Sequence, residues 1–119
     1  VDGRRRTGRI GEEWARRHLV RKGWEIWDTN WRTRLGELDI IARDRGQIVV
    51  VEVRSTRGTR FGLGYQSVDP RKQRQVRKLA LQYLQAHRLQ GQPFRIDVVS
   101  VLLSRSDRPI QIDHLEAAF

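Results

Sequence analysis

The sequence predicts an α/β fold, a mixed β-sheet of four to five strands flanked by α-helices. Two amphipathic stripes at helical spacing, near residues 7–22 and 76–87, bracket a β-branched run, Ile48-Val49-Val50-Val51-Glu52-Val53. The order is helix, three strands, helix, one or two strands, which calls for helices packed on a mixed sheet. No internal repeat, low-complexity tract or Pro/Gly/Ser linker divides the 119 residues, so residues 1–119 are expected to share one core.

The first helix rests on Ile10, Trp14, Ala15 and Leu19, with Gly23 as its stop. Glu12 flanks this stripe, whereas Glu13 points to an arginine-rich outer face, one turn before Arg17. Residues 24–31 read as a strand with Trp27 and Trp31 in phase, and a basic turn at Arg32 and Arg34 leads to a second strand beginning near Glu37. Asp44-Arg45-Gly46-Gln47 turns the chain into the β-branched run, which has the composition of a central strand covered on both faces. From Arg54 to Val68, three glycines, basic and hydroxyl residues, and the aromatics Phe61 and Tyr65 predict a mobile, basic loop. Asp69-Pro70 supplies an N-cap and a first-turn proline for a helix carrying Val76, Leu79, Ala80, Tyr83, Leu84 and His87, with Gly91 at its end. Residues 94–103 form a further strand, and Ile110-Gln111-Ile112 a short edge strand before the apolar tail. Trp14, Trp27 and Trp31 are expected in the core.

Lys and Arg number 24 against 14 Asp and Glu, a formal charge of +10. Twenty-one of the 24 are arginines, whose planar guanidinium matches phosphate in a two-pronged geometry. Composition alone leaves two readings open, a nucleic-acid partner or an arginine-rich solvated surface. Cysteine is absent, which removes disulfide scaffolds, zinc–thiolate sites, iron–sulfur clusters and thiol catalysis, and accords with a cytoplasmic location. The three histidines have no ligand spacing and are expected to be structural, with no zinc site. No apolar run approaches the ~18 residues of a membrane span, so no membrane partner is expected. The N-terminal residues do not read as a secretory signal, and with methionine absent the natural start is expected to lie upstream.

Glu52 is the anomaly, a carboxylate in the most apolar stretch of the chain, where an ionised acid is costly without compensation. A hairpin closed by residues 44–47 sets Ile41 opposite Val50 and Asp39 opposite Glu52. A one-residue shift would scramble the apolar pattern, which leaves this register or a two-residue slip. Opposed acids at ~5 Å repel by roughly 3 kcal/mol at an effective dielectric of 20. Two readings are open. Arg54, two residues on, neutralises both acids in a half-buried ion network; or the carboxylates hold a divalent ion, hard oxygen donors suiting Mg²⁺ or Mn²⁺.

Gly11-Glu12 on the opening helix, Gly36-Glu37-Leu38-Asp39 on one strand and Val51-Glu52-Val53-Arg54 on the next resemble the PD-(D/E)xK nuclease pattern. More closely, the chain resembles the small bacterial YraN-like family, whose fold is related to Holliday-junction-resolvase-like endonucleases. Asn30-Trp31-Arg32, Phe61-Gly62, Lys72, Arg95-Ile96-Asp97-Val98-Val99 and Ala118-Phe119 extend the match over nearly the whole chain.

The resemblance implies a restriction-endonuclease-like core and a metal-dependent, structure-selective endonuclease acting on DNA. It also implies Glu12, Asp39 and Glu52 as metal-site acids and Arg54 where such enzymes usually place lysine. Arginine is not deprotonated, so only the electrostatic part of the lysine role is left to it. Glu37, in phase with Asp39, is read as an ordinary strand-end acid or a supporting contact. Arg57, Arg60, Arg71 and Arg74 are the expected phosphate contacts, with Gln66 and Lys72 as further candidates where loop meets helix. Resolvase-like relatives act as pairs, which makes a homodimer an expectation by analogy. Two further functions stay open: a nucleic-acid-binding protein that keeps the fold without the reaction, and a basic adaptor that docks on another protein.

Overall fold

In a computed structural model, residues 3–58 and 68–119 are described. Seven elements follow in order: α1 Gly3–Arg21, β1 Glu25–Thr33, β2 Gly36–Asp44, β3 Gln47–Arg57, α2 Pro70–Ala86, β4 Phe94–Leu103 and β5 Pro109–Leu115. The five strands form one sheet in chain order, antiparallel throughout except between β3 and β4. α2 lies in the β3-to-β4 connection, which a parallel pair requires.

Period-two alternation along β3 builds a core on each face. Val49 and Val51 pack with Ala15 and Leu19 of α1, whereas Ile48 and Val50 pack with Val76, Leu79 and Tyr83 of α2. The β2–β3 register runs from Asp44↔Gln47 to Ile40↔Val51 and includes the expected Ile41↔Val50 pair. Asp69 caps α2 as the sequence implied, its Oδ1 accepting from Lys72 N at 2.8 Å, with Pro70 in the first turn.

Three elements exceed their sequence expectation. α1 starts at Gly3, β5 spans seven residues, and β3 continues four residues beyond the apolar run, to Arg57. The residues Arg54–Arg57, expected in a loop, are polar yet extended because each pairs with β4, from Arg54↔Ser100 to Arg57↔Leu103. Trp24 is buried, while Trp14, Trp27 and Trp31 pack half-buried against the two cores. His18 and His114, remote in sequence, meet edge-on at 6.1 Å, and His114 Nε2 lies 2.8 Å from Oδ2 of the fully buried Asp97. Arg95 and the Ala117 N–H complete the shell of Asp97 and hold the C-terminal tail against β4. No helix among the described residues is long and apolar enough to cross a membrane.

Candidate functional site

Both helices run antiparallel to β3, on opposite faces. Thr7 of α1 meets Arg57 and Gly11 meets Ser55, while on the other face Lys72 of α2 meets Glu52 and Arg77 lies over Phe94, beside Ile48. The N-terminal halves of α1 and α2 therefore reach the carboxyl end of β3 together, and the acids gather there. Carboxylate oxygens of Glu12, Glu37 and Asp39 lie within 4.8 Å of one another.

Local backbone chemistry explains each position. Gly11 sits so close to β3 that a Cβ there would overlap Ser55 Oγ and stand 2.7 Å from Ser55 Cβ; this close approach brings Glu12 to Asp39. Asn30 is left-handed within β1 (φ 52), a conformation that asparagine tolerates, and its amide donates to Glu12 Oε1 at 2.8 Å and to Glu37 Oε1 at 3.3 Å. Arg32 makes a two-pronged bond to Glu37 Oε2, at 2.6 and 3.2 Å. Gly36 has φ +139 and is packed against Gln75, whose amide donates to Leu35 O; this glycine starts the strand that carries Glu37 and Asp39.

One step past the last paired residues of β2 and β3, Asp39 meets β3 through its side chain, Oδ2 accepting from Val53 N at 2.8 Å. Burial pushes its carboxyl well above the usual carboxylate range, the charges of Glu52 and then Glu12 add to this, and the Val53 N–H and Lys72 oppose it. Glu52 is 3% exposed. In phase with Ile48 and Val50, it faces α2, where Lys72 Nζ stands 3.4 Å from Oε1; Oε2 is buried with no hydrogen-bond partner among the described residues. Burial raises the Glu52 carboxyl, chiefly against Lys72 and then Arg54.

The predicted residues divide accordingly. Glu12 and Asp39 come together with Glu37, whose place in the sequence suits an ordinary strand-end acid or a supporting contact. Glu52 does not complete that mutual set, because it faces α2 while Glu12 arrives from α1; it lies beside Asp39 with Lys72 as its cation. Arg54 is half-buried on β3 and acts on Glu52 through its charge. Arg57 is engaged elsewhere: its guanidinium bonds Asp107, Thr7 and Ser104 O, and Asp107 also takes Arg6 at 2.6 Å. Arg71, Lys72 and Arg74 line one open cleft with Lys78. Arg60 and Gln66, like the Phe61-Gly62 motif and Tyr65, lie outside the described residues. Asn30 had no chemical signal beyond its place in a motif, and the contact of Lys72 with Glu52 crosses 20 positions of sequence.

Hard, anionic oxygens in this number suit Mg²⁺ or Mn²⁺. Asp39 and Glu52 are acids whose burial disfavours their charge, and Glu52 Oε2 lacks a partner among the described residues, so the residues present fit a divalent ion.

A model described as "Uncharacterised protein family UPF0102" matches residues 11–101, a stretch that begins at Gly11-Glu12 and includes Glu37, Asp39, Glu52 and Lys72. A UPF0102 protein of Pelotomaculum thermopropionicum is 42% identical over 119 residues, covering 100% of this chain and 99% of its own. One from Myxococcus xanthus is 45% identical over 116 residues, 98% of this chain and 90% of its own. One from Nocardia farcinica is 44% identical over 119 residues, 100% and 93%.

Proposed function

Because the chain belongs to the UPF0102 family, the YraN-like family indicated by its motifs, we propose that it is a divalent-metal-dependent endonuclease that hydrolyses phosphodiester bonds in DNA. The observation that carries this reading is the meeting of Glu12, Glu37 and Asp39 within 4.8 Å, beside the buried and half-satisfied Glu52.

Asp39, Glu12 and Glu37 would hold Mg²⁺ or Mn²⁺, with Glu52, beside Asp39, as a further oxygen donor. The ion, when bound, stabilises charge on the phosphoryl oxygens and makes water a better nucleophile. Asp39 is fixed by the Val53 N–H, so its free oxygen keeps one direction. Asn30 fixes Glu12 in the same way, and Glu37 is held at both oxygens, Oε1 by Asn30 and Oε2 by Arg32. Lys72 carries the ammonium that the strand motif lacks. From α2 it reaches Glu52 at 3.4 Å, close enough to steady charge on a transferring phosphoryl group, while Arg54 contributes a permanent charge from β3.

The test is incubation of branched, flapped and linear DNA with the protein in Mg²⁺ or Mn²⁺, beside Asp39→Asn and Glu52→Gln. Cleavage by the wild type alone supports the reading; equal cleavage by all three, or none by any, overturns it. Arg54 in the place of lysine favours a second reading, a nucleic-acid-binding protein that retains the fold without the reaction. Binding without cleavage selects it, and Lys72→Gln then has no catalytic effect to remove.

A further inference from the structure

Helices ordinarily carry acids in the first turn, because the exposed N–H groups there make that end positive. Neither α1 nor α2 has an acid in its first turn, and both have arginines instead. The two arginine-bearing ends, that of α2 capped by Asp69, converge on one end of the sheet, beside the acids and on opposite faces. Arg5 and Arg9 stand one turn apart on α1 and line, with Arg32, a cleft of about 510 Å³ that Glu12 and Glu37 border. Arg71, Arg74 and Lys78 share one face of α2 and line, with Lys72 and the capping Asp69, a cleft of about 570 Å³ in which cations outnumber the one acid. Among the described residues, the side chains of Arg5, Arg9, Arg71 and Arg74 have no anionic partner, although Glu12 lies one turn from Arg9. Asn30 and Arg32 hold Glu12 and Glu37 beside Arg5 and Arg9, and the Lys72 N–H holds Asp69 beside Arg71 and Arg74, so all four guanidinium groups line the clefts without an ion pair among the described residues.

We propose that the two clefts are the two arms of one phosphodiester track that passes over the carboxylates. The substrate would then be nucleic acid whose backbone continues on both sides of the cleaved bond, a duplex or the arms of a branched molecule, rather than a strand end. The position of the cut rests on the nuclease reading; the two-armed track does not. The clefts belong to a molecule measuring 42 × 30 × 24 Å, so at ~3.4 Å per base-pair step they meet phosphates within roughly ten base pairs.

The experiment uses the full chain and a labelled duplex of about 24 base pairs in metal-free buffer, where binding is read without cleavage. Fluorescence anisotropy across a salt series gives the slope of log affinity against log salt. Arg5→Ala/Arg9→Ala and Arg71→Ala/Arg74→Ala should each lower that slope by about 1.8, two contacts at ~0.9 each, and the quadruple variant by the sum. Arg5→Lys/Arg9→Lys should keep the slope, because it keeps the charge. Phosphate-ethylation interference should show contacts on two flanks, with each double variant losing a different one. Circular dichroism confirms folding of these surface variants. A wild-type slope for Arg5→Ala/Arg9→Ala, or loss of the same flank by both variants, overturns the track. A two-flanked footprint without any cleavage in Mg²⁺ or Mn²⁺ leaves the track standing and removes the nuclease reading. No binding to the duplex removes the track.

Discussion

With burial and the charge of Glu52 both raising its pKa, Asp39 keeps a proton in the folded chain at pH values where the unfolded chain has lost it. The folded state therefore binds more protons, and metal-free stability should fall as pH rises from the ordinary value of 3.8 through the raised one. Asp39→Asn should flatten that dependence and melt at a higher temperature than the wild type above it. Melting curves across pH in a chelator check this, and a lower melting temperature for Asp39→Asn would contradict it. Lys72 predicts the opposite sign. Lys72→Gln leaves Glu52 buried without its cation and should cost about 1–2 kcal/mol, below the 3–5 of a fully buried pair because the lysine side chain is 33% exposed. Glu52→Gln in the same background should return most of the loss, which a double-mutant cycle measures. Asn30→Gly keeps the left-handed backbone and removes the amide. It should leave melting within about 1 kcal/mol of wild type while weakening Mn²⁺ uptake, read by titration calorimetry.

The contact between α1 and β3 is set by the absence of a side chain at Gly11. Gly11→Ala should overpack against Ser55 and cost about 1–3 kcal/mol, and by tilting the helix it should also part Glu12 from Asp39 and weaken Mn²⁺ binding. Ser55→Gly in the Gly11→Ala background should recover both, since it removes the atoms that a Cβ would strike. Recovery of stability without ion binding would show that the helix positions Glu12 by other means. The elements themselves were largely readable, because amphipathic spacing in α1 and α2, the Asp69-Pro70 cap and the β-branched run are local signals. The polar end of β3 was not, since only its partner strand makes Arg54–Arg57 extended.

For the whole molecule, ligand binding to the folded state alone raises stability, so Mg²⁺ or Mn²⁺ at 100 times its dissociation constant should add about 2.7 kcal/mol, and Asp39→Asn should abolish that gain. Calorimetric melts with and without the ion test it. At this scale the acids were legible as chemistry but not as geometry. Strand register placed Asp39 near Glu52, whereas the entry of Glu37 depends on Asn30 and Arg32 in a neighbouring strand, and the entry of Lys72 depends on how α2 crosses the sheet. Arg57 shows the converse. A basic residue in a basic stretch reads as a phosphate ligand until the fold brings Asp107 to it.

On the proposed two-armed track, the acid-free first turns of α1 and α2 would set heat resistance against ligand retention. Carboxylates introduced at Arg5 or Arg71 would complement the helix ends and toughen the protein, so a selection for thermal survival alone should accumulate them and return variants that hold DNA poorly.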